Sequence, residues 1–347
     1  MSDAVQPDFP ELTKVREAHR FDEAALARYL NEHVDDDFAS MRLQQFEGGQ
    51  SNPTYRLDTK NHQYVLRKKP PGDLLKSAHQ IDREYRVMHA LRDSDVPVPR
   101  MFCLCQDASV IGQDFYLMDH VPGRVIVDPQ LPNVPHDQRK PLYDHLMQVL
   151  AALHTVDRES VGLGDFGRPG NYYERQISRW SKQYKLSEVV AIPEMDALID
   201  WFPANIPQSD ETTIVHGDFR MGNMIIHPTE PRVLAVLDWE LATSGHPLGD
   251  LGYNCSMYYG ENAVDVEETD LYTEQELVDV YCRYANRDPI ENWPFYIIYN
   301  LFRSAAIVQG VYKRGLDGNA SSESWREREH QCRDHAELAW AQVEKLK

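Results

Sequence analysis

The chain has 347 residues, 42% hydrophobic and 26% charged, which is ordinary for a folded protein and long enough for two domains or two lobes around a sizeable core. Lys and Arg number 36 against 55 Asp and Glu, for a formal net charge of −19, and so acidic a surface repels nucleic-acid phosphates and anionic headgroups, which argues against general nucleic-acid or membrane binding. No apolar run reaches the ~18 residues of a membrane helix, and MSDAVQPDFPEL lacks a basic-then-apolar signal pattern, so a cytoplasmic location is expected. Cys103, Cys105, Cys255, Cys282 and Cys332 include no C-x-x-C pair, which fits reduced packing thiols better than a disulfide framework or zinc site.

In chain order, residues 22–34 put Ala25, Leu26, Tyr29, Leu30 and Val34 on one helical face behind a potential Asp22 cap. The period then changes: 41–46, 54–59 and 63–68 read as three short antiparallel strands with turns between them. Helical spacing returns over 77–92 through Ile81, Tyr85, Met88 and Leu91, and V-P-V-P at 96–99 forces an extended exit. FYLMDHV (115–121) reads as another strand ending at Pro122-Gly123, so about five strands surround one helix. From 137 the pattern is mainly helical, interrupted by two apolar β-branched segments, 212–228 and 232–240, with polar residues at their ends.

Those ends carry the chemistry. His216-Gly217-Asp218-Phe219-Arg220-Met221-Gly222-Asn223 spells H-x-D-x-x-x-x-N, and an apolar strand then delivers Asp238 in Leu237-Asp238-Trp239-Glu240. Phosphoryl transfer needs a carboxylate beside the acceptor hydroxyl and oxygen ligands for Mg²⁺ on the triphosphate. Asp218 suits the first role, Asn223 and Asp238 the second.

The string VHGDFRMGNMII…VLAVLDWE, together with EGGQSNPTYRL, YVLRKKPPG, REYRVMHAL, YLMDHVPGR and SGHPLGDLGY, resembles the aminoglycoside phosphotransferase and choline kinase superfamily, small-molecule relatives of protein kinases. It is most similar to the kinase-like domains found alone in bacteria or fused ahead of acyl-CoA dehydrogenases. The resemblance implies an α+β, two-lobed protein-kinase-like fold, with a five-stranded antiparallel N-lobe over 1–118 and a larger, mainly helical C-lobe over 119–347. It implies ATP and Mg²⁺ as cofactors and a small hydroxylated molecule as acceptor, with no nucleic-acid or membrane partner. In the same way Gly48, Gly49, Gln50, Ser51 and Asn52 would form the phosphate-facing turn. Glu84 would anchor a strand-borne cation, Met118, Asp119, His120 and Val121 would read the base largely through backbone, and Asp250 would stabilise the loop architecture. Side chains at 118–121 do not separate ATP from GTP.

The chain departs from the family at the cation. Aligning YVLRK puts Arg67 where Lys is expected, with Lys68 on the opposite face of the strand. Arg can grip phosphate bidentately but is not equivalent to Lys, so a nucleotide-binding pseudokinase is the alternative. A metal-dependent phosphoester hydrolase using His216, Asp218 and Asp238 is the less favoured third. Gly162-Leu163-Gly164-Asp165-Phe166-Gly167 fits G-x-G-x-x-G and contains D-F-G, but it follows a helix and precedes the catalytic loop, so 162–170 reads as a loop, with a place near the substrate open to it. In NYYERQISRWSKQYKL, Tyr173, Ile177, Trp180 and Tyr184 read as a packed helix face, with Arg175 and Arg179 on another strip where an anionic substrate could meet them. A hydroxy acid or hydroxyacyl-CoA is the first expectation for the acceptor, on analogy alone.

Overall fold

The computed structural model describes residues 11–47, 52–70, 80–209, 211–318, 325–326 and 328–347. Gly48, Gly49, Gln50 and Ser51 of the expected phosphate turn, and 77–79 of the expected helix, lie outside the described residues. The chain divides into two compact units: Met1–Asp128 with Glu159–Gly164 and Met221–Ala242, and Pro129–Arg158 with Asp165–Arg220 and Thr243–Lys347.

The first unit is built on an antiparallel sheet of β1 (Leu12–Thr13), β2 (Arg42–Phe46), β3 (Thr54–Asp58), β4 (Gln63–Lys68), β5 (Met101–Cys105) and β6 (Phe115–Asp119), in the order β1-β2-β3-β4-β6-β5. The sheet has six strands where five are expected, because the two-residue edge strand β1, paired Leu12 to Phe46, is too short to show alternation. β6 stops at Asp119 rather than at 121, its last pairing with β4 being Asp119 to Tyr64.

Alternation divides the sheet into two working faces. Tyr55, Leu57, Leu66, Phe115 and Leu117 point to one side and bury against Leu26 and Leu30 of the Glu23–His33 helix. That helix starts where expected, with the Asp22 carboxylate accepting from the Ala25 N–H at 2.9 Å. The opposite face carries Thr54, Arg56, Val65, Arg67, Tyr116 and Met118, in register as Thr54–Arg67–Tyr116 and Arg56–Val65–Met118. The Ile81–Leu91 helix buries Glu84, and the antiparallel pair β8 (Met224–Ile226) and β9 (Val233–Val236) belongs to the same unit.

The segment 212–228 is therefore two strands rather than one. β7 (Thr213–Val215) pairs with β10 (Thr243–Gly245) in the second unit, and β8 pairs with β9 in the first. The break falls where Gly217 takes φ 82° and Met221–Asn223 forms a 3₁₀ turn.

The second unit is helical. The 24-residue Trp293–Leu316 helix is buried along most of its length and packs against Arg328–Glu344, Tyr172–Ser187 and Leu248–Cys255. His136–Thr155 packs on Glu274–Tyr284, whose start carries a capping box between Thr273 and Glu276. All five cysteines are buried free thiols, and burial pushes Cys103 up to about 12. Among the described residues, no helix is long and apolar enough to cross a membrane.

Candidate active site

The second face of the sheet opens onto a cavity of about 420 Å³ within the first unit. Val65 and Met118 from the sheet, with Ile225 of β8 and Leu237 just after β9, give it apolar walls. Asp119, His120 and Val121 line one edge, and Arg67 and Asp238 line the cavity as well. Apolar walls with a few converging polar groups are the usual form of a small-ligand site.

Backbone hydrogen bonding along that edge is unequal. The Asp119 N–H donates to Arg100 O at 2.9 Å and the His120 N–H to Gln63 O at 3.1 Å. The Val121 N–H donates to no group among the described residues, which leaves it available to a ligand acceptor. The His120 ring stacks on Phe46 at 6.3 Å and 10°. Burial lowers its pKa, so the ring is neutral near pH 7.

A charged cluster stands beside the apolar walls. Arg67 Nη2 donates to Asp238 Oδ1 at 2.7 Å, while Arg67 Nε lies 3.2 Å from Glu84 Oε2. Glu84 is fully buried and also accepts from Tyr116 Oη at 3.0 Å and Asn52 Nδ2 at 3.3 Å. Asn52, the one described residue of the expected phosphate turn, therefore has its amide on Glu84. Burial pushes Glu84 up to about 7 against the pull of Arg67. Burial works against the Arg67 charge, but Glu84, Tyr116 and Asp238 more than offset it, and the guanidinium stays ionised.

Arg67 and Lys68 separate as strand alternation requires. Lys68 lies on the core face, 2% exposed, with Nζ 5.8 Å from the centre of the Phe21 ring, and burial lowers its pKa. Asp238 follows β9 in the left-handed region, φ 65° and ψ 55°, which an aspartate tolerates better than most residues. Carboxylate oxygens of Glu84, Asp238 and Glu240 all come within 4.8 Å of one another. This brings Glu240, two residues beyond Asp238, into the cluster. Asn223 is 7% exposed and its carbonyl accepts from the Leu237 N–H at 2.8 Å, which ties it to the strand that ends at Asp238.

Asp218 belongs to the second unit, in a loop restrained on several sides. The Asp250 carboxylate accepts from the His216 N–H at 2.7 Å and the Gly217 N–H at 2.8 Å, the architectural role expected of it. Burial alone would raise Asp250, yet its bond to His154 and its position beside His216 hold it below the ordinary carboxylate value. The Asp218 N–H donates to His216 Nδ1 at 3.2 Å, and Asn254 Nδ2 donates to Phe219 O at 3.3 Å. Arg220 Nε lies 3.4 Å from Asp218 Oδ1.

Three contributors to this loop have no signal in the sequence. Arg303, from the middle of an apolar helix, donates to Gly217 O, with its guanidinium 5.1 Å from the centre of the Tyr253 ring. Burial pushes the Tyr253 hydroxyl well up, and the neighbouring Asp218 charge adds to it. His154 joins Asp250 to Tyr281, with Nδ1 2.8 Å from Tyr281 Oη. The only available hint was a buried-pattern helix containing an Arg, which marks a charge with a partner but not which partner.

Comparison with known proteins agrees with this architecture. The model of a family described as "Phosphotransferase enzyme family" matches residues 42–285. A crystal structure from Ralstonia eutropha, of a protein provisionally named an aminoglycoside phosphotransferase, is 46% identical with a TM-score of 0.86, covering 94% of this chain and 99% of that one. A ternary complex of aminoglycoside phosphotransferase APH(4)-Ia with AMP-PNP and hygromycin B has a TM-score of 0.60 over 92% of this chain and 99% of that one, and at 15% identity it shares the fold alone. Acyl-CoA dehydrogenase family member 10 of Mus musculus is 44% identical over 341 residues, 95% of this chain but 32% of that protein. Family member 11 of Rattus norvegicus is 43% identical over 327 residues, 90% of this chain and 42% of that protein. The chain thus spans 32–42% of the length of these curated relatives, and its fold is the protein-kinase-like one expected.

Proposed function

The chain belongs to the phosphotransferase enzyme family, and we propose that it moves the γ-phosphoryl group of ATP to a hydroxyl of a small molecule, with a hydroxy acid or hydroxyacyl-CoA as the acceptor. The observation that carries the reading is Arg67 held between Glu84 and Asp238 beside an apolar cavity of about 420 Å³ edged by 119–121. Such an arrangement offers a flat apolar slot for a base and a cation for its phosphates.

Each residue then has a distinct task. Val65, Met118, Ile225 and Leu237 sandwich the base, and the Val121 N–H with neighbouring carbonyls reads its edge. Arg67 turns from Asp238 toward the α and β phosphates, and Glu84 keeps its guanidinium oriented. Asn223 and Asp238 offer hard oxygen donors, the chemistry Mg²⁺ requires, and the nearby Glu84 and Glu240 oxygens make the donor set oxygen-only. When bound, Mg²⁺ would neutralise charge on the transferring phosphoryl group. Asp218 accepts or orients the acceptor hydroxyl proton, and Asp250, Arg303 and Asn254 hold its loop so that little reorganisation is needed.

The relatives named for acyl-CoA dehydrogenase support the acyl-type acceptor, since their names couple this kind of chain to an enzyme of acyl-CoA chemistry. The test is ATP-dependent phosphorylation of a panel of hydroxy acids, hydroxyacyl-CoA esters, sugars and aminoglycosides, followed by mass spectrometry. A gain of one phosphoryl group on a hydroxyacyl compound is expected. Tight Mg·ATP binding with no transfer to any member would instead favour a nucleotide-binding module, a reading that rests on Arg67 in place of Lys.

A further inference from the structure

A second cavity, of about 540 Å³, lies in the second unit between the 168–171 loop and one face of the Tyr172–Ser187 helix, and we propose that it binds a small organic phosphate. Its lining reverses the charge balance of the whole chain: Arg168, Arg175, Arg179 and Lys182 face one carboxylate, Glu174, in a protein with 36 basic and 55 acidic residues. Among the described residues, Arg168, Arg179 and Lys182 form no ion pair and no hydrogen bond through their side chains. Acids are available to this helix, since its Lys185 pairs with both Glu188, at 3.2 Å, and Asp196. The cations of the cavity are left for something outside the chain.

The site is also shaped. Arg175 is committed to scaffolding, donating to Gly170 O and, at 2.6 Å, to Arg168 O, so it fixes the loop that carries Arg168. Burial, with Arg168 nearby, lowers its pKa, a sign of cations crowded without sufficient counter-charge. The Arg179 guanidinium rests 5.1 Å from the centre of the Trp180 ring, which limits its freedom before a ligand arrives. The Ser178 hydroxyl has no hydrogen bond among the described residues and adds a neutral donor.

The excess of three positive charges matches a phosphoryl dianion or pyrophosphate better than a lone carboxylate, and Arg presents paired donors suited to phosphate oxygens. The volume exceeds the needs of the anion alone and leaves room for an organic body against Pro169 and Asn171. No lining residue is shared with the 420 Å³ cavity, so this inference stands or falls apart from the phosphotransfer reading.

The test is calorimetric titration of inorganic pyrophosphate into the full chain, using wild type, the double variant Arg179→Ser with Lys182→Ser, and Arg67→Gln. Both residues of the double variant are exposed, and an unchanged unfolding midpoint verifies that it is folded. The expected result is binding that weakens at least tenfold in the double variant and persists in Arg67→Gln. Binding that survives the double variant but disappears in Arg67→Gln would place the anion in the other cavity and overturn the proposal, while leaving the nucleotide reading intact. Citrate binding as tightly as pyrophosphate at equal ionic strength, or no binding by wild type, would overturn the assignment to phosphate.

Discussion

Arg67 Nη2 lies 2.7 Å from Asp238 Oδ1, so the cation assigned to the phosphates and a carboxylate assigned to the metal are already paired with each other. The guanidinium reaches Asp238 through one nitrogen and Glu84 through another, 3.2 Å from Oε2. A lysine has one nitrogen to place and cannot serve both in the same way. Arg67→Lys should therefore raise the nucleotide KM by about tenfold, roughly 1.4 kcal/mol, whereas Arg67→Met should abolish saturable binding. Titration with Mg·ATP checks both, and a lysine variant that binds better than wild type would mean the fork is not used.

Asp218 is assigned a role in transfer and none in holding the nucleotide. Asp218→Asn should lower kcat by about 10²–10⁴ and leave ATP affinity within twofold. Single-turnover kinetics beside equilibrium binding separate the two, and an unchanged kcat would remove Asp218 from the chemistry.

The Glu84–Arg67 pair also bears on stability. Glu84→Ala strips a buried guanidinium of one partner and leaves Tyr116 Oη without its acceptor, so a loss of about 3–5 kcal/mol is expected. Glu84→Gln keeps an acceptor for Tyr116 and should cost less. Replacing both Arg67 and Glu84 with apolar residues of similar volume should recover much of the stability without restoring nucleotide binding. Chemical denaturation of the four proteins gives the comparison.

Asp250 accepts from two buried backbone N–H groups, those of His216 and Gly217. Asp250→Ala should cost about 2–5 kcal/mol from unpaired buried donors and should also lower kcat, because the same bonds set the loop carrying Asp218. Rescue of stability but not of kcat by Asp250→Asn would separate the two effects.

His246 gives the chain a pH dependence of its own. Burial foremost depresses its pKa from 6.5 to about 4, with its ring between Tyr173 and Tyr296 and near Ser209 Oγ. The unfolded chain takes up this proton below about pH 6.5 and the folded chain does not until near 4, so stability should fall as pH is lowered through that window. The full effect of the shift from 6.5 to about 4 is about 3 kcal/mol. The urea midpoint of wild type should fall relative to that of His246→Gln between pH 7 and 4, a difference in which the opposite contribution of Glu84, whose raised pKa favours the folded state as pH is lowered, cancels.

Much of this was legible in the residues, for reasons that also explain what was not. The strands 42–46, 54–58 and 63–68 announce themselves by alternation, and that alternation alone puts Arg67 and Lys68 on opposite faces. The H-x-D-x-x-x-x-N spacing singles out Asp218 and Asn223, and the end of the next apolar strand singles out Asp238, because chemistry fixes residue types at fixed intervals. Arg303 and His154 had no such mark. They sit 86 and 96 residues from their hydrogen-bond partners Gly217 and Asp250, and long-range pairing leaves no periodic trace in a single sequence. The strand at 12–13 escaped for the opposite reason, being too short to have a period. Asn52 was singled out for its neighbours in a glycine-bearing turn, yet what decides its contact is the buried acid 32 residues away.

The wall of the 420 Å³ cavity that contains Ile225 and Leu237 comes from 221–242, while the sheet that faces it is complete by residue 119. During synthesis more than a hundred residues must therefore emerge between the two halves of one small chamber. Until then the nascent sheet has an uncovered face of Val65 and Met118, a sticky intermediate that a cell must shield. A fragment cut after residue 128 would be arrested in that condition, so expression boundaries chosen from the sheet alone should yield aggregates rather than a miniature nucleotide binder.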